Sequence, residues 1–312
     1  MRRLSFVAAI VALSASPALA ADCKPLQRYA VIPFETDESY QVYIRSTVNG
    51  RPALMMLDTG AYWSMLSRQY AEAQGFSIGN SVIFPLRDVN GELMNKMTSG
   101  DFKLGSANFG KTEFFIGGFG GEINGLVGQN LLAKVDLEID NANKTISLFS
   151  QDHCRGDGVH WADEAVTLTY KRAVRAPIGS NIRKQENKID MPIVGADIDG
   201  EAVTMLVDTG ATYTVMDLEY AKRKFNLTTN SPGVKAAGKL VGANGGGSDS
   251  YSYTFSTLTI SGIKFENVPI RLSRLESTDM LLGMNELKKL RLYFASKDGM
   301  IHVTSADAKR GQ

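Results

Sequence analysis

Residues 44–71 read IRSTVNGRPALMMLDTGAYWSMLSRQYA, and residues 194–221 read VGADIDGEAVTMLVDTGATYTVMDLEYA. The two stretches align without a gap at an offset of 150 residues, and both contain Asp-Thr-Gly-Ala, at 58–61 and at 208–211. A repeat that stays in register over this length indicates two copies of one structural unit in a single chain.

A second repeated block follows in each copy, now at an offset of 155 residues. In this block two apolar residues precede a glycine, which is Gly128 in the first copy and Gly283 in the second. Short apolar stretches in each copy are separated by turn signals, and Asn49-Gly50 and Asp199-Gly200 are typical of β-hairpins. The pattern predicts an all-β protein with two similar lobes, each made mostly of strands with two short helices.

Four polar residues are candidate N-caps for those helices. Ser67 and Asp217, which are 150 residues apart, are predicted to begin the first helix of each lobe. Asn130 and Asn285, which follow the repeated glycines, are predicted to cap a second single-turn helix.

The length of 312 residues and the 44% hydrophobic content indicate a chain that can bury a substantial core in two domains. We predict a signal peptide at 1–20, a first lobe at 21–150, a linker at 151–163 and a second lobe at 164–312. The signal peptide is expected because two arginines precede a short apolar run that ends in Ala18-Leu19-Ala20, a small-x-small cleavage site. Export to the periplasm or secretion follows from it.

Charge and hydropathy disfavour two classes of partner. The chain has 34 Lys and Arg against 33 Asp and Glu, so it has no excess of positive charge to attract nucleic acid. No segment after the signal peptide is apolar over the roughly 20 residues that a membrane span needs. We therefore expect neither a nucleic-acid partner nor a membrane anchor.

The two cysteines, Cys23 and Cys154, are expected to pair, because thiols of an exported protein meet an oxidising environment. Such a bridge would close a loop across 131 residues and tether the mature N-terminus.

The repeated aspartates, Asp58 and Asp208, are the strongest candidates for catalysis. A peptide bond can be hydrolysed when one carboxylate takes a proton from water and a neighbouring carboxylic acid protonates the carbonyl oxygen. Two carboxyl groups held close together share one proton, since like charges raise the pKa of one of them. A duplicated lobe supplies this arrangement if a pseudo-twofold axis brings the two loops face to face.

The motifs Asp58-Thr59-Gly60-Ala61 and Asp208-Thr209-Gly210-Ala211 resemble the active-site motif of the aspartic proteases. The apolar-apolar-Gly elements ending at Gly128 and Gly283 resemble the second signature of that clan, which packs beneath the catalytic loop. Because alanine follows each glycine and the lobes are short, the chain is more similar to the retropepsin-like branch. The resemblance implies a single-chain, monomeric endopeptidase that acts on peptides or proteins and needs no metal or other cofactor.

The resemblance also implies flap hairpins over the cleft, for which Asn90-Gly91 and the glycine-rich run at 242–247 are the candidates. Tyr251 and Tyr253 follow the second candidate, and the sequence does not show which way they point. A basic insertion at 171–188 in the second half is interpreted as a solvated surface loop, with a substrate-steering or autolytic loop as the alternative.

A second function remains open at this stage: a non-catalytic exported protein that keeps the two lobes to bind peptides or to act as a scaffold. Metal chemistry has less support, because His153, His160 and His302 lack the spacing of metal ligands. The glycine-rich run at 242–247 lacks the Gly-Lys-Ser/Thr ending of a phosphate-binding loop.

Overall fold

The computed structural model describes residues 23–81, 86–87, 93–119, 121–170, 191–242, 245–276 and 278–310. Three predicted features therefore lie wholly outside the described residues: the signal peptide at 1–20, the turn at Asn90-Gly91 and the basic insertion at 171–188. Among the described residues, no helix is long and apolar enough to cross a bilayer.

Among its described residues, the first half of the chain contains twelve strands and two short helices. The strands are β1 (Arg28–Pro33), β2 (Tyr43–Val48), β3 (Arg51–Leu57), β4 (Met65–Ser67), β5 (Gly79–Asn80), β6 (Leu86–Arg87), β7 (Leu93–Met94), β8 (Lys96–Leu104), β9 (Ala107–Gly117), β10 (Gly125–Val127), β11 (Asp136–Asp140) and β12 (Thr145–Phe149). The helices are α1 (Arg68–Ala73) and α2 (Gln129–Leu132).

The second half repeats this order among its described residues. Its strands are β13 (Val166–Thr169), β14 (Ile193–Ile198), β15 (Glu201–Val207), β16 (Val215–Asp217), β17 (Lys235–Val241), β18 (Gly247–Ile260), β19 (Ile263–Ser273), β20 (Met280–Leu282), β21 (Leu290–Ala295) and β22 (Met300–Ser305). Its helices are α3 (Leu218–Phe225) and α4 (Met284–Leu287).

Each half folds into a seven-stranded barrel-like sheet, and the two sheets have the same topology. The order is β2-β3-β10-β4-β9-β8-β5 in the first lobe and β14-β15-β20-β16-β19-β18-β17 in the second. Additional pairings of β2 with β8 and of β14 with β18 close the sheets. The prediction of an all-β protein with two similar lobes is confirmed.

Local sequence signals explain how the strands turn and where the longer helices begin. Asn49-Gly50 and Asp199-Gly200 all have positive φ, which the tight turns β2–β3 and β14–β15 require. The side chains of Ser67 and Asp217 accept hydrogen bonds from the third residue on, as predicted for N-caps of α1 and α3.

A third sheet joins the lobes, with the order β1-β12-β11-β21-β22-β13. Its central pair, β11 and β21, comes from different halves and is antiparallel, with Leu137 opposite Phe294 and Ile139 opposite Leu292. Three strands of each half therefore form one continuous sheet, which makes the two lobes a single structural unit.

The central strand β11 carries three buried carboxyl groups, of Asp136, Glu138 and Asp140. Their partners are His153 at 2.9 Å from Asp136, His160 at 2.8 Å from Glu138, and Arg291, which lies 3.0 Å from Asp140 and also contacts Glu138. Burial lowers the pKa of His153, but the hydrogen bonds to Asp136 and to the Cys154 carbonyl, together with nearby negative charge, outweigh this, and the net shift is upward. Burial also raises the pKa of Asp136, against the opposing hydrogen bond from His153.

The predicted disulfide between Cys23 and Cys154 is present, with Cα atoms 4.8 Å apart. The backbone of Lys24 pairs with Asp152 and Cys154 on either side of the bridge, through hydrogen bonds of 2.8 and 3.0 Å. The bridge therefore fixes the start of the described chain against residues 151–163, the segment between β12 and β13 that was predicted as the linker. His153, next to the bridge, contacts Asp136 through Nε2 and the Cys154 carbonyl through Nδ1.

Candidate active site

The repeated aspartates lie directly after equivalent strands, Asp58 after β3 and Asp208 after β15. The backbone N–H of Asp58 donates to Val127, and that of Asp208 donates to Leu282, each at 3.0 Å. These bonds hold each aspartate at the end of the short strand before the repeated glycine, β10 or β20.

Reciprocal threonine contacts bring the two loops face to face. The Thr59 hydroxyl donates to the Val207 carbonyl and the Thr209 hydroxyl to the Leu57 carbonyl, both at 2.7 Å. Each hydroxyl also accepts the backbone N–H of the other threonine at 3.1 Å. Thr59 and Thr209 are almost completely buried, so this four-bond arrangement is shielded from water. It is the pseudo-twofold contact that the duplication predicted.

Each carboxyl group lies directly over the glycine of the opposite loop. A β-carbon placed on Gly60 would collide with the Asp208 carboxyl, and one placed on Gly210 would collide with the Asp58 carboxyl. Glycine is therefore required for space at both positions, because any side chain would push the two carboxyl groups apart.

Backbone N–H groups orient the carboxylates. Asp58 Oδ1 accepts from Gly60 at 3.0 Å and from Ala61 at 2.8 Å. Asp208 Oδ1 accepts the equivalent bonds, from Gly210 at 2.9 Å and from Ala211 at 3.1 Å. These bonds leave the other oxygen of each carboxyl available to its partner and to a reacting molecule.

The two groups titrate as a pair. Burial, followed by the charge and hydrogen bond of Asp208, raises the pKa of Asp58 well above its usual range. Burial also raises the pKa of Asp208 to about 6, although the N–H of Gly210, the hydrogen bond from Asp58 and the N–H of Ala211 lower it. Because the charge of Asp208 raises the pKa of Asp58, Asp58 keeps its proton while Asp208 ionises near pH 6. Above that pH the pair holds one proton between two carboxyl groups, which is the state that general acid and base catalysis needs.

The repeated glycines lie beneath the Asp-Thr-Gly-Ala loops. A β-carbon on Gly128 would lie 2.8 Å from the Ala61 carbonyl oxygen, and one on Gly283 would collide with the Tyr213 carbonyl. In the next residues, Gln129 and Met284 donate their backbone N–H groups to Ala61 and Ala211 at 2.9 and 2.8 Å. The sequence motif therefore marks a position in each lobe where the chain passes closer to the Asp-Thr-Gly-Ala loop than a side chain would allow.

The prediction that Asn130 and Asn285 cap the second helices is wrong. Gly128 and Gly283 occupy the N-cap positions, without side-chain caps. The asparagine side chains point the other way, since their Oδ1 atoms accept from the backbone and hydroxyl of Ser64 and of Thr214. Those hydroxyls in turn accept the N–H of Gly128 and Gly283. Each asparagine thus ties a helix to the far end of its catalytic loop.

Two glutamines that were not predicted as site residues make the site asymmetric. Gln129 donates from Nε2 to the Thr59 carbonyl at 2.8 Å, whereas the equivalent residue in the second lobe is Met284, which has no such donor. Gln41, before β2, donates across the molecule to the Gly210 carbonyl. The mismatch of Gln129 with Met284 is visible in the repeat, but the contact of Gln41 depends on how the lobes meet.

Two antiparallel strand pairs flank the candidate flap turns. In the first lobe β6 pairs with β7, and the Asn90-Gly91 turn between them lies outside the described residues, whereas in the second lobe β17 pairs with β18. The second tip reaches the first lobe, because a β-carbon on Gly245 would lie 3.2 Å from the Gly118 carbonyl oxygen. Tyr251 and Tyr253 pack against the main core, so neither side chain is directed over the dyad.

No group of three or more potential metal ligands occurs among the described residues. The dyad itself is satisfied by backbone N–H groups and by its own shared proton, so the described site can carry out acid and base chemistry with its own carboxyl groups.

Comparison with known families agrees with this geometry. The family model described as "gag-polyprotein putative aspartyl protease" matches residues 44–134 and, a second time, residues 194–289. No curated protein matches the chain. Each matched segment contains one Asp-Thr-Gly-Ala loop and one repeated glycine, and together they cover more than half of the 312 residues. The chain therefore belongs to the gag-polyprotein aspartyl protease family, which it matches once in each lobe.

Proposed function

We propose that this protein is an aspartic endopeptidase in which Asp58 and Asp208 act together on one water molecule. The observation that carries the proposal is the contact of two buried carboxyl groups, each over the glycine of the opposite loop, with raised pKa values. If the two loops served only as turns, two buried carboxyl groups in contact would destabilise the fold without a benefit, since burying a second carboxyl costs free energy.

In the proposed reaction, the ionised carboxylate removes a proton from water as the oxygen attacks the carbonyl carbon of the peptide bond. The protonated carboxyl donates its proton to the carbonyl oxygen, and a tetrahedral diol forms. Collapse of the diol breaks the C–N bond. The leaving nitrogen takes the proton from the carboxyl that received it, while a hydroxyl of the diol gives its proton to the other carboxylate and becomes part of the product carboxylic acid. Atoms and charge balance, and the dyad returns to its one-proton state.

The substrate is proposed to be an extended peptide or a protein segment. The cleft between the dyad and the two flap hairpins is bordered by strands, and an extended peptide can pair with such edges through its backbone. The carboxyl group that acts as the acid and the one that acts as the base lie on one chain, so we also propose that the protein acts as a monomer. Export is proposed from the predicted signal peptide and is consistent with the Cys23–Cys154 bridge.

Single substitutions Asp58→Asn and Asp208→Asn test the function. Both keep the size of the side chain and remove the shared proton chemistry, so kcat/KM on a mixed peptide library should fall by at least about a thousandfold. Asp101→Asn, on the exposed surface of β8, is the matched control and should keep full activity.

A pepstatin-type inhibitor should abolish wild-type cleavage. Wild-type protein that binds library peptides but cleaves none would support the non-catalytic alternative. Cleavage that survives in either Asn variant would show that the bond is hydrolysed elsewhere.

A further inference from the structure

Each lobe has a second sheet face, separate from the main core, that carries a row of residues paired across five strands. In the first lobe the row is Met56, Leu126, Met65, Phe115 and Met97. In the second lobe the row is Leu206, Leu281, Val215, Arg271 and Ser252. Because in-register neighbours point to the same side of a sheet, each row forms one continuous surface.

This surface lies between the catalytic loop and the flap hairpin. The first row belongs to a small apolar cluster that also contains Ala61 from the motif and Met94 from the flap strand β7. The second row contributes to a corresponding cluster with Ala211 and with Leu240 from the flap strand β17. The rows therefore border the space that a peptide would occupy between the dyad and the flaps.

The two rows have different chemistry at the fourth position. In the first lobe this position is Phe115, which is completely buried and meets the edge of the Trp63 ring at a centroid distance of 6.1 Å. In the second lobe it is Arg271, whose guanidinium lies 4.4 Å from the centre of the Tyr213 ring. Trp63 and Tyr213 are equivalent, since each follows its aspartate by five residues. An aromatic pair in one lobe is thus replaced by a cation–π pair in the other.

Arg271 is half-buried and its protein partners are neutral. Its Nη1 donates to the Ala237 carbonyl and, at 3.3 Å, to the Ser250 hydroxyl. No carboxylate among the described residues lies within the 4.0 Å of an ion pair with it. A partly desolvated guanidinium with neutral partners strongly favours an anion, because arginine binds carboxylates through paired, charge-assisted hydrogen bonds.

The exposure of the Tyr213 ring places this charge within reach of a substrate. Tyr213 is 42% exposed, and the guanidinium stacks on its ring. The stacking fixes the plane of the guanidinium, so its free edge is held in one orientation.

We propose that Arg271 and Tyr213 form a subsite of the second lobe that selects a carboxylate on the substrate, while Trp63, which packs on the buried Phe115, selects an apolar side chain in the first lobe. This inference rests on the proposed function. It implies that substrates bind in one direction only, with an acidic residue on the side of the cleaved bond that the second lobe contacts.

The test uses matched peptides with amidated C-termini that carry Glu, or Gln, at each position around the cleaved bond. Wild-type protein should cleave the peptide with Glu at one position about tenfold faster in kcat/KM than its Gln partner. Arg271→Gln should remove this ratio. Arg271→Lys should keep part of it, because the charge remains. A Gln peptide with a free C-terminal carboxylate shows whether the anion comes from a side chain or from a chain end.

Two controls separate recognition from a structural role. Arg274→Gln removes an exposed charge three residues away that pairs with Glu276, and it should leave the Glu/Gln ratio unchanged. Tyr213→Phe should keep the ratio and Tyr213→Leu should reduce it, because only the latter removes the aromatic ring. If Arg271 only stabilised strand β17 through its hydrogen bond to the Ala237 carbonyl, its replacement would lower kcat/KM for every peptide equally and leave the Glu/Gln ratio unchanged. That result would overturn the proposal.

The proposal can also fail separately from the enzymatic function. Reduced-amide analogues of the Glu and Gln peptides resist cleavage, so their binding to wild-type protein is measured by calorimetry. A preference for the Glu analogue that is lost in Arg271→Gln supports the subsite even if no peptide is hydrolysed. Equal binding of both analogues overturns it even if hydrolysis is efficient.

Discussion

At the scale of single residues, the chemistry depends on which groups donate hydrogen bonds to the dyad. Asp58 and Asp208 receive backbone N–H groups, but the alanines that follow the glycines have no hydroxyl to donate. A hydroxyl there would stabilise the charged form and lower the pKa of the pair. Its absence, together with burial, is consistent with the raised pKa values, of which that of Asp208 is about 6.

We therefore predict a bell-shaped dependence of kcat/KM on pH, with an optimum roughly between pH 4.5 and 6.5, where the dyad holds one proton. The acidic limb should follow the ionisation of Asp208, whose pKa is about 6, which places the optimum toward the upper end of this range, and the alkaline limb should follow the loss of the remaining proton from Asp58. The double substitution Ala61→Ser/Ala211→Ser should move that limb to lower pH. A wild-type optimum below about pH 3.5, or a limb that stays in place in the double variant, would contradict this account.

The sequence predicted the members of the dyad and its loops because duplication in register makes them visible. It could not predict Gln41, whose contact with Gly210 joins residues from opposite lobes and leaves no trace in either repeat. It also placed Asn130 in the wrong role, because the capping preference of asparagine is a local signal and the contact with Ser64 is a tertiary one. The catalytic roles of Asp58 and Asp208 stay predictions until they are measured.

At the scale of the elements, the short strand and helix around each repeated glycine hold the catalytic loop from below. We predict that Gly283→Ala lowers the free energy of unfolding by about 1 to 3 kcal/mol, because its β-carbon would collide with the Tyr213 carbonyl beneath the loop. Since the loop must move to relieve the collision, kcat/KM should fall as well.

Urea unfolding and peptide cleavage measure the two effects of Gly283→Ala. Gly195→Ala is the matched control: this glycine lies in β14, and a β-carbon there would meet no atom within 4 Å. Its stability should stay within about 0.5 kcal/mol of wild type. Equal behaviour of the two variants would show that the close approach at Gly283 is not required.

Sequence patterns predicted the elements best where a local signal fixes the backbone. The hairpin turns at Asn49-Gly50 and Asp199-Gly200 need positive φ, and these residue types supply it at low cost. Strands of two residues such as β5 and β6 carry too few side chains to show any alternation, so their existence depends on the longer strands beside them. The joining of three strands from each half into one sheet could not be predicted either, since the spacing of apolar residues along a strand does not specify which strand pairs with it.

At the scale of the whole molecule, we expect the free energy of unfolding to be larger in mildly acidic solution than at neutral pH. The pKa values of Asp58, Asp208, Asp136 and His153 are all raised in the folded protein. A group with a raised pKa binds its proton more tightly when folded, so the stability it contributes is complete below its unfolded pKa. That stability is lost as the pH rises through the folded pKa.

We predict that the free energy of unfolding, measured with urea at constant ionic strength, is larger at about pH 4.5 than at about pH 7.5. Asp208 alone, with a pKa near 6, should account for about 2 kcal/mol of the difference. The exposed Asp37 and Asp152 have lowered pKa values and act in the opposite sense, but solvent screens them. The variant Asp58→Asn/Asp208→Asn should lose much of the pH dependence, whereas a wild-type stability that rises toward pH 7.5 would refute the prediction.

Both halves of the proposed active site lie on one chain, so activity should not require association. Specific activity should stay constant on dilution to nanomolar concentrations, and sedimentation should show a monomer over the same range. A steep loss of activity that coincides with a shift from dimer to monomer would contradict the single-chain site.

During synthesis, β11 is made well before β21, the strand with which it pairs. A chain is made from its N-terminus, so β11, which ends at Asp140, exists long before β21, which starts at Leu290. Until then the edge of β11 is an open template on which another chain can add a strand. Both cysteines have been made by residue 154, so the bridge can close while the edge is still open. The disulfide that anchors the start of the described chain can thus hold β1, β12 and the following segment in place beside β11 before β21 is made.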